Sequence, residues 1–118
     1  MKIFCLIALF LIAPSVIKAQ DNGAKNVEMN RYVVERSFPQ GLDIPLNEEG
    51  RLLVQGVVFN NTEEHVVWIH SCVSADRKKT YCIYEAPSPE AIRNAAEKNG
   101  ITVDKITRVS VLDPYFYK

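Results

Sequence analysis

Val66-Val67-Trp68-Ile69-His70-Ser71-Cys72-Val73-Ser74 and Lys79-Thr80-Tyr81-Cys82-Ile83-Tyr84-Glu85-Ala86 are two runs rich in β-branched and aromatic residues. Asp76-Arg77-Lys78 lies between them, a separation short enough for a hairpin. Directly after the second run, Ser88 offers a capping hydroxyl, Pro89 suits the first helical position and Glu90 places an acid in the first turn. Ala91, Ile92, Ala95 and Ala96 then form a packing face, and Asn99-Gly100 ends the helix.

Working outward, Asn30 to Phe38 reads as a strand stopped by Pro39-Gln40-Gly41. Asn47 can cap a helix with Glu48 and Glu49 in its first turn, where negative charge complements the helix dipole. Leu53 with Val57 and Val54 with Val58 then repeat at four-residue spacing as far as Asn60-Asn61. Gly50, Gly56 and the valines leave a strand as the alternative there. Beyond the second helix, Ile106 to Leu112 alternates as a strand, followed by Asp113-Pro114 and the aromatic end Tyr115-Phe116-Tyr117. The order strand, helix, strand, strand, helix, strand is the α+β, ferredoxin-like βαββαβ plan: a four-stranded antiparallel sheet with two helices on one face and the first and third strands central. The other face stays open unless a second subunit covers it.

The chain has 118 residues, enough for one domain. Lys2, the apolar stretch Ile3 to Ala13, the break at Pro14 and the exit Ile17-Lys18-Ala19 have the layout of a cleavable signal peptide over residues 1–19. The apolar run stops well short of the roughly 20 residues needed to span a bilayer. Export to a periplasm or medium is therefore expected, with a flexible leader over 20–28 and the domain over 29–118. Losing Lys2 and Lys18 changes the balance from 14 basic and 14 acidic residues to 12 and 14, a net charge of about −2. A near-neutral, unpatterned charge set does not recruit nucleic acid or an anionic membrane. Cys5 leaves with the signal, and Cys72 and Cys82 remain where thiols can pair.

Alternation along the strands sorts side chains by face. Val67, Ile69, Val73, Ile83, Val33, Val109 and Val111 form an aliphatic set suited to lie under the helices. That assignment puts Tyr32, Val34, Arg36, Trp68, His70, Cys72, Cys82, Tyr84, Arg108 and Ser110 on the open face. An aromatic, basic, sulfur-bearing face of this kind suits a homodimer interface or a ligand cleft.

The runs Trp68 to Ser74 and Tyr81 to Arg93, the opening Arg31 to Pro39 and the ending Val111 to Tyr117 together resemble the domain-of-unknown-function 4242 family, over roughly Met29 to Tyr117. The resemblance implies a ferredoxin-like, dimeric subunit. Some relatives are described as nickel-binding proteins, and the resemblance points to no particular catalytic activity. The sequence departs from the family pattern in its export signal and in Cys72, where relatives carry tyrosine; Cys82 matches a family cysteine.

His70 and Cys72, two apart on one strand, lie on one face roughly 7 Å apart. With a three-residue turn Cys72 faces Cys82 and His70 faces Tyr84; a two- or four-residue turn slips that pairing by one. Opposed cysteines allow two exclusive outcomes. One is a Cys72–Cys82 disulfide, worth roughly 2–4 kcal/mol. The other is a borderline-soft site of His70, Cys72 and Cys82 for nickel, zinc or copper. His65 lies roughly 16 Å from His70 along a strand, so it could share a metal only between subunits; Glu35, Asp76 and Glu85 could add oxygen ligands.

No serine elbow, HExxH, glycine-rich phosphate loop or paired CxxC occurs, and no organic cofactor is indicated. Three functions remain open. The first is an exported, non-enzymatic, dimeric metal-binding protein. The second is a dimeric interaction or small-ligand module with a structural disulfide. The third is a cofactor-independent oxygenase, which needs a histidine lining a cleft between sheet and helices.

Overall fold

A computed structural model describes residues 26–116. The expected signal peptide and the first part of the leader lie outside the described residues. The elements are β1 (Asn30–Ser37), α1 (Glu48–Glu63), β2 (Val67–Val73), β3 (Lys79–Ala86), α2 (Pro89–Asn99) and β4 (Lys105–Val109), followed by a short 3-10 turn at Pro114–Phe116. The sheet order is β2-β3-β1-β4 with every neighbour antiparallel, the α+β ferredoxin-like arrangement expected from the element order.

Local chemistry explains both helices. The Asn47 carboxamide accepts from the Gly50 amide at 3.1 Å, capping α1 and deciding the 48–63 segment as helix. Glycine at 50 serves close packing: a Cβ there would stand 1.7 Å from the Pro45 carbonyl oxygen, so the loop before α1 can lie on its first turn only without a side chain. Ser88 accepts from the Ala91 amide at 3.2 Å, and Gly100, at φ +66°, closes α2 in the left-handed conformation. The helix ends are tied together by Asn60 to Asn99 at 2.9 Å, Asn99 to Asn61 at 3.0 Å and Lys98 between Glu63 and Glu64.

The Ser74 amide donates to the Lys79 carbonyl at 2.9 Å, so the turn closed by this pair between β2 and β3 holds four residues, Ala75 to Lys78. Arg77 takes a left-handed φ of 62°, and the Asp76 carboxylate accepts from the Ser74 hydroxyl and the Lys78 amide. The four-residue turn sets Cys72 opposite Tyr81 and Ser71 opposite Cys82. A register irregularity between Trp68 and His70 leaves Ile69 unpaired, so Trp68 points to one face while His70 and Cys72 point to the other.

The rows across the sheet follow from this register. Trp68, Tyr84, Tyr32 and Arg108 form one row on the helix side; Ser71, Cys82, Val34 and Ile106 form the next; Val73, Thr80 and Arg36 follow. The uncovered side carries Val67, Glu85, Arg31 and Val109, then His70, Ile83, Val33 and Thr107, then Cys72, Tyr81, Glu35 and Lys105.

This corrects the expected face assignment for Tyr32, Val34, Arg36, Trp68, Cys82, Tyr84 and Arg108, all of which share the helix side. The cause is volume. The inward face of α2 is Ala91, Ile92, Ala95 and Ala96, and three methyl-sized side chains leave room beneath the helix for Tyr32 and Tyr84, so the large residues fill the core. The aliphatic residues Val33, Ile83 and Val109 lie half-buried on the uncovered side instead.

Candidate functional site

Two places carry chemistry, one on each side of the sheet. On the uncovered side, His70 and Cys72 are exposed, with side chains on the same face and Cα atoms two residues apart along an edge strand. Their neighbours on β3 are Ile83 and Tyr81, which offer no carboxylate. Glu35 stands two strands from Cys72, about 10 Å away by strand spacing. Glu85 is paired with Arg31 directly opposite it, and Asp76 is engaged in the hairpin turn. Hydrogen bonds to Ser74 and to the Lys78 amide hold the Asp76 carboxyl below its usual pKa, keeping it anionic.

Cys82 does not join this pair. It is 5 % exposed on the helix side, 3.6 Å from the Thr80 hydroxyl, and both Cys72 and Cys82 are free thiols. The expected Cys72–Cys82 disulfide and the His70, Cys72, Cys82 metal cluster are therefore corrected together: the sulfurs project from opposite faces because the hairpin turn holds four residues rather than three. His65 is also elsewhere. It is exposed, with φ 59°, in the turn that closes α1, and its amide donates to the Thr62 carbonyl. Among the described residues, no group of three or more histidine, cysteine, aspartate or glutamate side chains could hold a metal ion.

On the helix side a cavity of ≈340 Å³ lies between the sheet, α1 and the loop leading into α1. Arg36, Thr80, Ser71, Cys82, Tyr84 and Trp68 supply its sheet wall; Leu53 and Val57 of α1, with Phe38 and Ile44, face them. Trp68 donates to the Ser71 hydroxyl at 2.8 Å. Arg36, 4 % exposed, donates to the Thr102 carbonyl at 2.9 Å and to the Tyr84 hydroxyl at 3.2 Å, and its guanidinium carbon lies 5.7 Å from the Tyr84 ring centre. Burial pushes the Tyr84 phenol above its usual 10.0, against the opposing pull of the Arg36 cation, so the ring keeps its proton. The cleft that an oxygenase would need exists here, with His70 on the far side of the sheet.

A family model described as nickel responsive protein SCO4226-like matches residues 32–109. The chain belongs to this family. The nickel association and the ferredoxin-like fold of the sequence resemblance agree with it, under the SCO4226-like name rather than the domain-of-unknown-function 4242 one. The crystal structure of SCO4226 from Streptomyces coelicolor A3(2) is similar in fold, with a TM-score of 0.57 and 19 % identity over 70 % of this chain and 99 % of that one. No curated protein matches. The sequence singles out Arg36 and Tyr84 in this SCO4226-like chain but on the open face rather than in this cavity; the signal for their burial was the alanine-rich face of α2, which calls for large side chains beneath it.

Proposed function

We propose that this SCO4226-like chain is an exported, non-enzymatic nickel-binding protein that acts as a homodimer, the ion held by His70 and Cys72 from both copies. The observation that carries the reading is the placement of His70 and Cys72 side by side on the uncovered sheet face. An imidazole and a thiolate are donors of the borderline-soft class that nickel takes, so the pair fits the ion in kind. It does not fit in number, because among the described residues one copy offers two donors with no third at hand. A second copy meeting the same face brings its own pair.

Three further observations support the reading. The family name associates these proteins with nickel. The uncovered face carries an apolar set, exposed Val67 and Tyr81 around half-buried Val33, Ile83 and Val109, beside the charged Arg31, Glu85, Glu35 and Lys105. After β4 the chain carries Val111, Leu112, Tyr115 and Phe116 on its surface, the last two more than four-fifths exposed, a segment with apolar area to bury on another copy. Export rests on the signal-like residues 1–19. Nickel is cargo or effector here, and its uptake releases the thiol proton of Cys72, so affinity rises with pH.

Calorimetric titration of metal-free protein with nickel chloride tests the proposal. His70→Ala and Cys72→Ser should each weaken binding by at least about tenfold, roughly 1.4 kcal/mol, while His65→Ala and Cys82→Ser leave it unchanged. Wild-type protein without affinity below about 1 mM, or with affinity indifferent to His70 and Cys72, refutes it.

A further inference from the structure

The helix side of the sheet buries a cation that has no anion among the described residues. Arg36 is 4 % exposed, and both of its hydrogen-bond partners, the Thr102 carbonyl and the Tyr84 hydroxyl, are neutral. None of the ion pairs among the described residues includes it. Withdrawing a guanidinium from water without a counter-charge is strongly unfavourable, and a group so placed either relieves that cost with a bound anion or persists as a liability.

The geometry around Arg36 favours the bound anion. A guanidinium presents five N–H donors in a planar fork, so two hydrogen bonds leave donors to spare. Arg36 donates to the Tyr84 oxygen, and the phenol's own hydrogen, beside the Cys82 sulfur, has only that weak acceptor to give up for a carboxylate. Both groups line the ≈340 Å³ cavity, whose volume lies at the lower end of the range for small-molecule sites. Most of the remaining wall is apolar: Phe38, Leu53, Val57 and Trp68 surround the space a ligand body would fill. Asp43, the one carboxylate on the lining, is exposed and beyond ion-pair distance of Arg36. Its charge disfavours a multiply charged anion and leaves a singly charged one acceptable.

We propose that this cavity binds a small apolar monocarboxylate, its carboxylate on Arg36 and the Tyr84 hydroxyl and its hydrocarbon body between α1 and Trp68. The site lies on the opposite side of the sheet from His70 and Cys72, so the nickel reading and this one fail separately.

Trp68 is the single tryptophan of the chain and lines the cavity, so its emission reports occupancy. Metal-free protein is titrated with octanoate, 1-octanol and sulfate. Octanoate should change the emission saturably, and both 1-octanol and sulfate should bind at least about tenfold more weakly. Arg36→Gln should lose at least about tenfold in octanoate affinity while 1-octanol binding stays as it was. Val57→Phe fills the cavity from α1 and leaves Arg36 in place; it should abolish octanoate binding with the far-ultraviolet circular dichroism retained, and it carries the test if Arg36→Gln does not fold. Equal affinity for octanoate and 1-octanol, sulfate binding as tight as octanoate, undiminished octanoate binding in folded Arg36→Gln or in Val57→Phe, or no saturable change would each overturn the proposal.

Discussion

Replacing Gly50 by alanine should destabilise the fold although it places a better helix former in α1. The added Cβ would meet the Pro45 carbonyl oxygen at 1.7 Å and its carbon at 2.9 Å, so the loop over Ile44 and Pro45 must move by more than 1 Å. Forcing extra volume into such a contact costs typically 1–3 kcal/mol, and the gain in helix propensity offsets at most about 1 kcal/mol. A net loss of about 1–2 kcal/mol follows, which lowers the Tm of a domain this size by roughly 5–15 °C. Gly56 is the internal control. A Cβ there meets nothing within 4 Å, so Gly56→Ala should instead stabilise by about 0.5–1 kcal/mol. Thermal melts of the two variants beside wild type provide the assay. Because Ile44 also lines the cavity, Gly50→Ala should loosen that site as well. If both alanine variants raise the Tm, the Pro45 carbonyl does not lie against the first turn of α1.

Other outcomes follow from the same geometry. A colorimetric thiol reagent should modify Cys72 rapidly in native protein and reach Cys82 only on unfolding, since one is exposed and the other buried on the far face; equal rates would contradict the register of β2. His65→Gly should raise stability by about 1 kcal/mol, because a left-handed φ is costly for a residue with a side chain, and chemical denaturation reads the change. The raised pKa of Tyr84 means that its share of stability is fully present below pH 10.0 and is lost as pH rises through the folded-state value. Tyr84→Phe should therefore flatten the alkaline limb of a stability–pH curve; an unchanged limb would place the phenol in water.

The order and type of the elements were legible because each carries a local signature. Asn47 and Ser88 cap helices, Gly100 stops one, and alternating aromatic and β-branched runs bound the hairpin. The strand β3 and the helix α2 lie where the residues alone put them, whereas β4 ends at Val109 rather than Leu112. What the residues did not disclose was which side of the sheet each parity faces. Aliphatic Val33 and Ile83 look like core, yet the small face of α2 takes Tyr32 and Tyr84 instead, a tertiary volume match that no single strand encodes. The separation of Cys72 from Cys82 turned on one residue in the hairpin loop, where Arg77 adopts a left-handed conformation normally associated with glycine. Ile69, left unpaired at the bulge, carries no sequence mark of that role.

Dimerisation through the uncovered face and shared use of His70 and Cys72 stand or fall with the stoichiometry of the nickel complex. Native mass spectrometry of the wild-type chain after nickel addition should show a dimer carrying nickel in a ratio of one ion to two chains, with the ion absent from the His70→Ala variant. Nickel retained by a monomer, or by the variant lacking both His70 and Cys72, would contradict the account.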